Sequence, residues 1–320
     1  MRVVLAEGAL LEQVLDDTFP VWHEGLSRDA YSKWNRGQLR TPWGREHLQR
    51  FALVDGAGAH IASLKRYRHP VRVDGRDGWM CGIGAVFTAP AHRGAGHASR
   101  LVEHVVARSR EEGALVAGLF SEIGTAFYER LGFSTVALDE VTVRVSKRDG
   151  SPAMLVRAGD DRDLPALAAM HDVRAAGARF ALRRDTPLVQ YAIAKKRLFA
   201  GLSAPGTRQL EFFVAEEGAS AVAYVVLSQN AFGWTLEEAG DRDPAGARLG
   251  AMFQVLLARE PSLRDPIIRA WWPRGFATPP QLTLAARSDP TDVFMVRPLA
   301  GAIDVPPGPE GVFWWRSDYF

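Results

Sequence analysis

Apolar and polar residues alternate in a pattern that predicts one β-hairpin in each half of the chain. Residues 51–65 give a strand, a tight turn and a second strand, and residues 212–227 repeat that order. Each predicted hairpin precedes another strand and then a helix. The repetition predicts a duplicated α/β unit; the alternative is a chance likeness between two common hairpins.

An uncharged run of apolar residues and glycine covers residues 80–87. Its length and lack of alternation predict a central strand that is buried on both faces. A glycine-rich loop at 93–98 follows, and residues 99–112 carry one apolar helical stripe that ends at Gly113. The stripe consists of Leu101, Val102, Val105 and Val106. Residues 114–120 predict a second buried strand.

The loop at residues 93–98, Arg-Gly-Ala-Gly-His-Ala, has features that favour anion binding. Its glycines leave backbone N–H groups unshielded at the positive end of a helix dipole, and Arg93 adds a charge-assisted donor. A purely structural turn would use the same glycines, so the loop alone leaves both interpretations open. The loop lacks the G-x-G-x-x-G pattern of dinucleotide-binding proteins.

The chain has 320 residues, which is enough for two hydrophobic cores. Charged and irregular sequence at 146–152 predicts the boundary between them. We therefore predict a first domain at 1–147, a second domain at 153–303 and a C-terminal tail at 304–320. The tail begins with a connector rich in proline and glycine.

Charge and cysteine content narrow the class of function. The 39 Lys and Arg residues nearly balance 37 Asp and Glu residues without a dense basic run, so we expect no nucleic-acid partner. The first residues predict neither a signal peptide nor a membrane span, and we expect a cytoplasmic protein.

Cys81, the single cysteine, is expected to be a core thiol. No spacing of His, Asp or Glu predicts a catalytic metal, and the oligomeric state, homo-oligomers included, stays open.

The order of strand, glycine loop, helix and strand resembles the GNAT superfamily of N-acyltransferases. In that superfamily a loop of pattern Arg/Gln-x-x-Gly-x-Gly/Ala binds acyl-CoA, and Arg93, Gly96 and Ala98 match it. A Phe-Tyr-x-x-x-Gly-Phe stretch follows on a short helix, and residues 127–133 match that pattern. Two motifs about thirty residues apart, each in the expected context, are more specific than either one alone.

The resemblance implies both a fold and a reaction. The fold would be α/β (α+β), with a mixed, mostly antiparallel GNAT sheet that contains a splayed parallel pair and is duplicated as a second, degenerate GNAT-like domain. The reaction would move an acetyl group from acetyl-CoA to a primary amine of a small molecule or a lysine-like side chain, by direct attack in a ternary complex. The alternative is a non-catalytic acyl-CoA-binding sensor or protein-interaction module.

The resemblance also implies the residues of the site. Those that would hold coenzyme A are Ala85, Val86, Phe87, Thr88, Arg93, Gly94, Ala95, Gly96, His97, Ala98 and Phe127. A bulge in the strand at 84–87 would aim a backbone N–H at the thioester carbonyl, and Gly82 and Gly84 would allow close approach of a ligand or only relieve crowding. Tyr128 would be the general acid for the departing thiolate, or would only pack beneath the sheet. Glu122 is a candidate base, although helix capping or solvent exposure explains it equally well.

Four aromatic residues fall in the N-terminal region that usually forms the acceptor wall in this fold: Trp22, Tyr31, Trp34 and Trp43. Their faces would suit a cationic amine, and burial in the core is the equal alternative.

In the second half, Asp241, Asp243 and Pro244 fall where the phosphate loop would be, and these residues oppose anion binding. One active and one degenerate unit in tandem resemble the enhanced-intracellular-survival acetyltransferases, although this chain lacks room for their sterol-carrier-like domain. A weaker likeness, confined to residues 120–124, relates the first half to fungal lysine side-chain acetyltransferases.

The aromatic tail predicts a buried chain end, because Phe313, Trp314, Trp315, Tyr319 and Phe320 fall within its last eight residues. We expect the terminal carboxylate of Phe320 to enter the cleft of the first domain and to help accept the ammonium proton. An edge strand that covers the second domain is the alternative.

Overall fold

The computed structural model describes residues 1–146, 152–259, 267–287, 292–301 and 303–320, and these residues form sixteen β-strands and eight α-helices. The strands are β1 (Arg2–Leu5), β2 (Leu48–Val54), β3 (His60–Val73), β4 (Arg76–Thr88), β5 (Val116–Ser121), β6 (Ser134–Thr135), β7 (Glu140–Val145), β8 (Leu155–Ala158), β9 (Phe180–Leu182), β10 (Gln209–Glu217), β11 (Ser220–Asn230), β12 (Gly233–Asp241), β13 (Ile268–Trp271), β14 (Leu282–Ala286), β15 (Val293–Pro298) and β16 (Val312–Phe313). The helices are α1 (Gly8–Trp22), α2 (Arg28–Arg40), α3 (Pro42–His47), α4 (His97–Glu111), α5 (Ala126–Glu129), α6 (Leu164–Ala175), α7 (Thr186–Leu202) and α8 (Ala247–Arg259).

The first sheet is built around the predicted uncharged strand. β1 to β4 pair antiparallel in chain order, and β5 lies parallel to β4 on its other side. The helix between them, α4, buries the predicted stripe against this sheet, and Gly113 follows it with a φ of 85°. β15 and β6 continue the sheet beyond β5, while β9 and β16 extend it beside the far end of β3.

β4 and β5 form a splayed parallel pair. Their pairing begins at Met80 opposite Val116 and ends at Ile83 opposite Leu119, although β4 continues to Thr88. The strands therefore part toward their carboxyl ends, as the predicted fold requires.

The second sheet repeats this arrangement. β10, β11 and β12 pair antiparallel, and β13 lies parallel to β12 after the crossover helix α8. β8 flanks β10, while β7 and β14 lie beyond β13. The mixed α/β fold with a duplicated sheet is confirmed.

Each sheet contains a strand from the other half of the chain. β7, from the first half, pairs with β13 and β14 in the second sheet. β15, from the second half, pairs with β5 and β6 in the first. The predicted boundary at 146–152 falls mostly on residues outside the described ones, and the sheets draw strands from both of its sides. The two units are therefore interlocked by strand exchange.

The tail lies between the two units. Its strand β16 pairs parallel with β9, so it belongs to the first sheet and is not an edge strand of the second. Trp314 packs on Phe294 with ring centroids 4.8 Å apart, whereas Trp315 packs on Phe276, 5.1 Å away, in the core of the second unit. Burial of these rings fixes the end of the described chain.

None of the described helices has the length and apolar character that crossing a membrane requires.

Candidate active site

A bulge interrupts β4 where it leaves β5. Phe87 lies opposite Ser63 and Gly84 opposite Lys65, so β4 has one residue more than β3 between these pairs. Ala85, inside the bulge, has a φ of 49°, a left-handed conformation that costs a non-glycine residue about 1–3 kcal/mol. Such a bulge re-aims backbone groups out of the ladder. The irregularity predicted at 84–87 is therefore present, and it faces the gap between the splayed strands.

The glycine loop has a left-handed backbone at two positions just before α4 begins. Gly94 and Gly96 have φ values of 79° and 75°, and a Cβ at either position would meet no atom within 4 Å. Glycine is therefore needed at these positions for the left-handed backbone conformation and not for close packing. Gly96 caps α4 without a side-chain hydrogen bond, and the first turn carries no acidic residue. The first N–H groups of the helix are left for a ligand or water.

Arg93 lies on the exposed surface of this loop. Its Nε donates to the carbonyl oxygen of Thr88 at 3.2 Å, which ties the loop to the end of β4. His97 begins the helix, and its ring centroid lies 6.1 Å from that of His92. The predicted coenzyme A residues of the loop therefore adjoin the carboxyl end of β4, whereas Phe87 of the strand is buried.

Tyr128 lies on the short helix α5 and lines a cavity beside the bulge. Its side chain is buried, and Phe127 packs against it edge to face at 4.8 Å between ring centroids. Burial, reinforced by the charge of Glu122, raises the pKa of the Tyr128 phenol to about 12. The phenol therefore keeps its proton at neutral pH and is available as a donor.

Glu122 is exposed and lines the same cavity. Its Oε1 accepts a hydrogen bond from the hydroxyl of Tyr319 at 2.8 Å. The N-cap of α5 is Thr125, so the capping explanation of Glu122 is wrong. The carboxylate instead joins the tail to the end of β5.

Phe320 reaches the bulge itself. A Cβ at Gly82 would lie 2.9 Å from the ring of Phe320, and one at Gly84 would lie 3.2 Å from its main-chain carbonyl. These two glycines therefore make room for the tail. The Phe320 ring packs on Tyr67 and His69, with centroids 5.4 and 4.9 Å away.

A buried ionic network holds the tail in this position. Arg184 donates from Nη1 to Glu238 and from Nη2 to Asp318, and all three side chains are at most 2% exposed. Glu238 belongs to β12, the second unit's counterpart of β4. Lys195 adds a bond from Nζ to the carbonyl oxygen of Tyr319 at 2.7 Å. The second unit thus supports the site by positioning residues 317–320.

The cavity has a volume of about 200 Å³ and joins these parts. Its wall includes Trp22, Glu24, Tyr31, Trp34, Asn35, Arg50, Lys65, Tyr67, Ile83, Gly84, Ala85, Val86, Phe120, Glu122, Ile123, Tyr128, Tyr319 and Phe320. The three predicted catalytic residues, Glu122, Tyr128 and Phe320, therefore meet in one cavity with the bulge.

The family model of the GNAT acetyltransferase domain matches residues 25–136, a span that contains the bulged strand, the loop, α4 and the Phe-Tyr helix. Residues 25–136 form a GNAT acetyltransferase domain. The function class of this domain is acyl transfer from acyl-CoA to an amine-bearing acceptor, and GNAT domains typically bind acetyl-CoA.

Three solved structures share the fold over 93% of this chain. A probable N-acyltransferase from Enterococcus faecalis V583 is 13% identical with a TM-score of 0.68 over 72% of its chain. GCN5-related N-acetyltransferases from Kribbella flavida and Anabaena variabilis ATCC 29413 are 18% and 15% identical, with TM-scores of 0.65 and 0.67 over 70% and 73% of their chains. No curated protein matches the chain in sequence. The likeness to enhanced-intracellular-survival acetyltransferases stays a prediction.

Three of the four aromatic residues for which acceptor wall and core were the alternatives line the cavity. Trp22, Tyr31 and Trp34 line the cavity, whereas Trp43 is 1% exposed and stacks on His69 with ring centroids 5.2 Å apart. The face of Trp34 is already occupied, because Lys65 Nζ lies 5.2 Å from its centroid. Trp43 is thus core, and Trp34 holds a cation of the protein itself.

Sequence reasoning missed Arg50 and Lys65, which are buried in β2 and β3 and line the cavity. The available signal was a basic residue within each of two otherwise apolar strands, since basic residues are rarely buried without a partner.

Cys81 is buried in β4, as expected of a core thiol. Burial raises its pKa to about 11, which keeps it protonated and unreactive. Within the described ranges, no group of three or more His, Cys, Asp or Glu side chains is placed to hold a metal ion.

Proposed function

We propose that the protein is an N-acetyltransferase that moves an acetyl group from acetyl-CoA to a primary amine. The observation that supports this proposal most strongly is the convergence of the bulge at Ala85, the protonated phenol of Tyr128 and the gap between β4 and β5 on one cavity. Acetyl-CoA would supply the thioester whose acyl carbon the amine attacks.

The residues that would hold coenzyme A fit their role. The uncapped N–H groups of α4, together with Arg93, suit the pyrophosphate. The gap beyond Ile83 and Leu119 suits an extended pantetheine arm. The loop contains no carboxylate that would repel a polyanion.

Tyr128 would act as the general acid. Its phenol keeps its proton at neutral pH and would donate it to the sulfur as the C–S bond breaks. A backbone N–H of the bulge would stabilise the oxyanion that forms on the acyl oxygen.

Two groups are candidates to receive the proton that the attacking amine loses. Glu122 is exposed to the cavity and bound to Tyr319, and Phe320 ends beside Gly84. In a protein that ends at Phe320, its carboxylate would compete with Glu122 for this role. Appending two glycines would displace the carboxylate and keep every ring; an unchanged kcat/KM with an unchanged melting temperature would assign the tail a structural role only.

The proposal is tested by thiol release from acetyl-CoA over a panel of primary amines, with full-length protein. Amine-dependent release is expected from the wild type and should be strongly reduced in Tyr128→Phe. Binding of acetyl-CoA without release for any amine would favour the non-catalytic acyl-CoA sensor instead.

A further inference from the structure

Two buried cations that line the cavity of the candidate active site lie directly opposite each other in the sheet. Arg50 of β2 and Lys65 of β3 are cross-strand partners, and they are 5% and 9% exposed. Like charges at directly opposite positions destabilise a sheet, and burial increases that cost. The fold therefore maintains an unfavourable pair at the wall of its active-site cavity.

Neither cation is neutralised by a carboxylate within the described part of the chain. Arg50 donates from Nη2 to the neutral amide oxygen of Asn35 at 2.8 Å, and its buried Nη1 has no hydrogen-bond partner. The ammonium group of Lys65 lies 5.2 Å from the centroid of the Trp34 ring. The charged neighbours that lower the pKa of Lys65, after burial itself, are the cations Arg50 and Lys195.

The two carboxylate side chains that line the cavity are engaged elsewhere. Glu24 pairs with Arg208 at 3.4 Å, and Glu122 accepts the hydroxyl of Tyr319. Neither side-chain carboxylate of the cavity wall is therefore paired with Arg50 or Lys65. An uncompensated buried charge is costly, and ionisable groups with strongly perturbed pKa values cluster at functional sites.

We propose that the acceptor amine carries an anionic group, a carboxylate or a phosphate, which Arg50 and Lys65 bind while the amine is presented to the bulge of β4. This inference rests on the proposed acetyl transfer and specifies its acceptor class. It also revises the expected cationic acceptor, since a polyamine or lysine side chain would add positive charge beside two buried cations.

The test compares amines that differ only in their anionic group. Full-length protein and acetyl-CoA are supplied with α-, β- and γ-amino acids, with the amide of each, and with a diamine of similar length. The wild type should acetylate at least one amino acid with a kcat/KM roughly 10- to 100-fold above that of its amide, as expected for one charge-assisted hydrogen bond. Phosphoethanolamine against ethanolamine separates phosphate from carboxylate recognition.

Lys65→Met removes the charge and keeps the length of the side chain. This variant should lose the preference for the acid over the amide. The loss should come from a changed KM for the amino acid, while binding of acetyl-CoA stays unchanged. Lys33→Met is the matched control, because Lys33 is exposed on α2 and pairs with Asp29. Equal kcat/KM for each acid and its amide in the wild type, or a preference for the diamine, would overturn the inference.

A binding measurement separates this inference from the proposed reaction. Propionate should raise the melting temperature of the wild type and of Lys33→Met more than propionamide does, and Lys65→Met should lose that difference. If no amine releases thiol but this pattern holds, the reaction is wrong and the anion site stands. If propionate and propionamide act alike on the wild type, the anion site is wrong whatever the turnover.

Discussion

The two units share an arrangement of strand, loop, helix and strand, and they differ at the start of the helix. In the first, Gly96 leaves the start of α4 uncapped by any side chain. In the second, the buried carboxylate of Asp241 accepts N–H groups from Leu249 and Asp243 at 2.9 and 2.8 Å, at the start of α8. In the second unit a carboxylate of the protein thus occupies the position next to the helix start that is left open in the first unit.

The bulges show the same contrast. β12 has a register shift opposite Val226 and Leu227, which leaves Glu237 as its extra residue. Glu237 is buried, accepts a hydrogen bond from Ser228 at 2.6 Å and pairs with Lys196. The corresponding bulge of β4 contains Ala85 and faces a cavity. Where β4 presents backbone to a cavity, β12 therefore carries a buried carboxylate that takes part in an internal ion pair.

The largest expected effect comes from cutting the link between the units. Arg184→Met should lower the free energy of unfolding by about 3–5 kcal/mol, because it leaves the carboxylates of Glu238 and Asp318 buried without their cation. Chemical denaturation measures this change. Arg183→Met is the matched control, since Arg183 forms exposed pairs and should contribute no more than about 1 kcal/mol. Similar losses for both variants would show that the network does not hold the tail.

A smaller effect is expected inside the active unit. Tyr128→Phe should reduce kcat roughly 10- to 1,000-fold and leave the Kd for acetyl-CoA unchanged, since only proton donation is lost. Tyr191→Phe removes a buried hydroxyl bonded to Gln38 outside the cavity and should leave kcat unchanged. Equal turnover of wild type and Tyr128→Phe, with chemistry shown to limit the rate, would remove this phenol from the mechanism.

The raised pKa of Tyr128 also sets the expected pH dependence. The ordinary pKa of tyrosine is about 10, so a phenol with a pKa of about 12 is still protonated at pH 10. Measured kcat should therefore show no loss from this group between neutral pH and pH 10. A descending limb in that range that disappears in Tyr128→Phe would contradict the assignment.

The smallest effect concerns the Asp241 carboxylate at the start of α8. Asp241→Ala should cost about 0.5–2 kcal/mol of stability, the usual contribution of a helix cap, and it should create no second acetyl-CoA site because Pro244 and Glu237 remain. Asp241→Asn keeps an acceptor oxygen and should cost less. Thermal unfolding with and without acetyl-CoA measures both quantities.

The sequence predicted the local elements well, and it predicted long-range pairing poorly. The hairpins, the stripe of α4 and the glycine loop each have a local pattern within about fifteen residues, which sequence reasoning detects. No local pattern predicts the exchange of β7 and β15, because the apolar pattern of either strand is compatible with either sheet. The opposition of Arg50 and Lys65 likewise depends on the register between β2 and β3. For Trp43 the sequence left acceptor wall and core as equal alternatives, because composition alone does not distinguish a cavity wall from a core.

Titration of the full-length protein with acetyl-CoA by calorimetry tests the central contrast most directly. We expect one site, lost or strongly weakened in Gly96→Asp, because that change places a carboxylate and a strained left-handed residue at the start of α4. Gly206→Asp is the matched control, since Gly206 has a φ of 76° and equally open surroundings. Two sites of similar affinity, or unchanged binding by Gly96→Asp, would contradict the division of roles between the units.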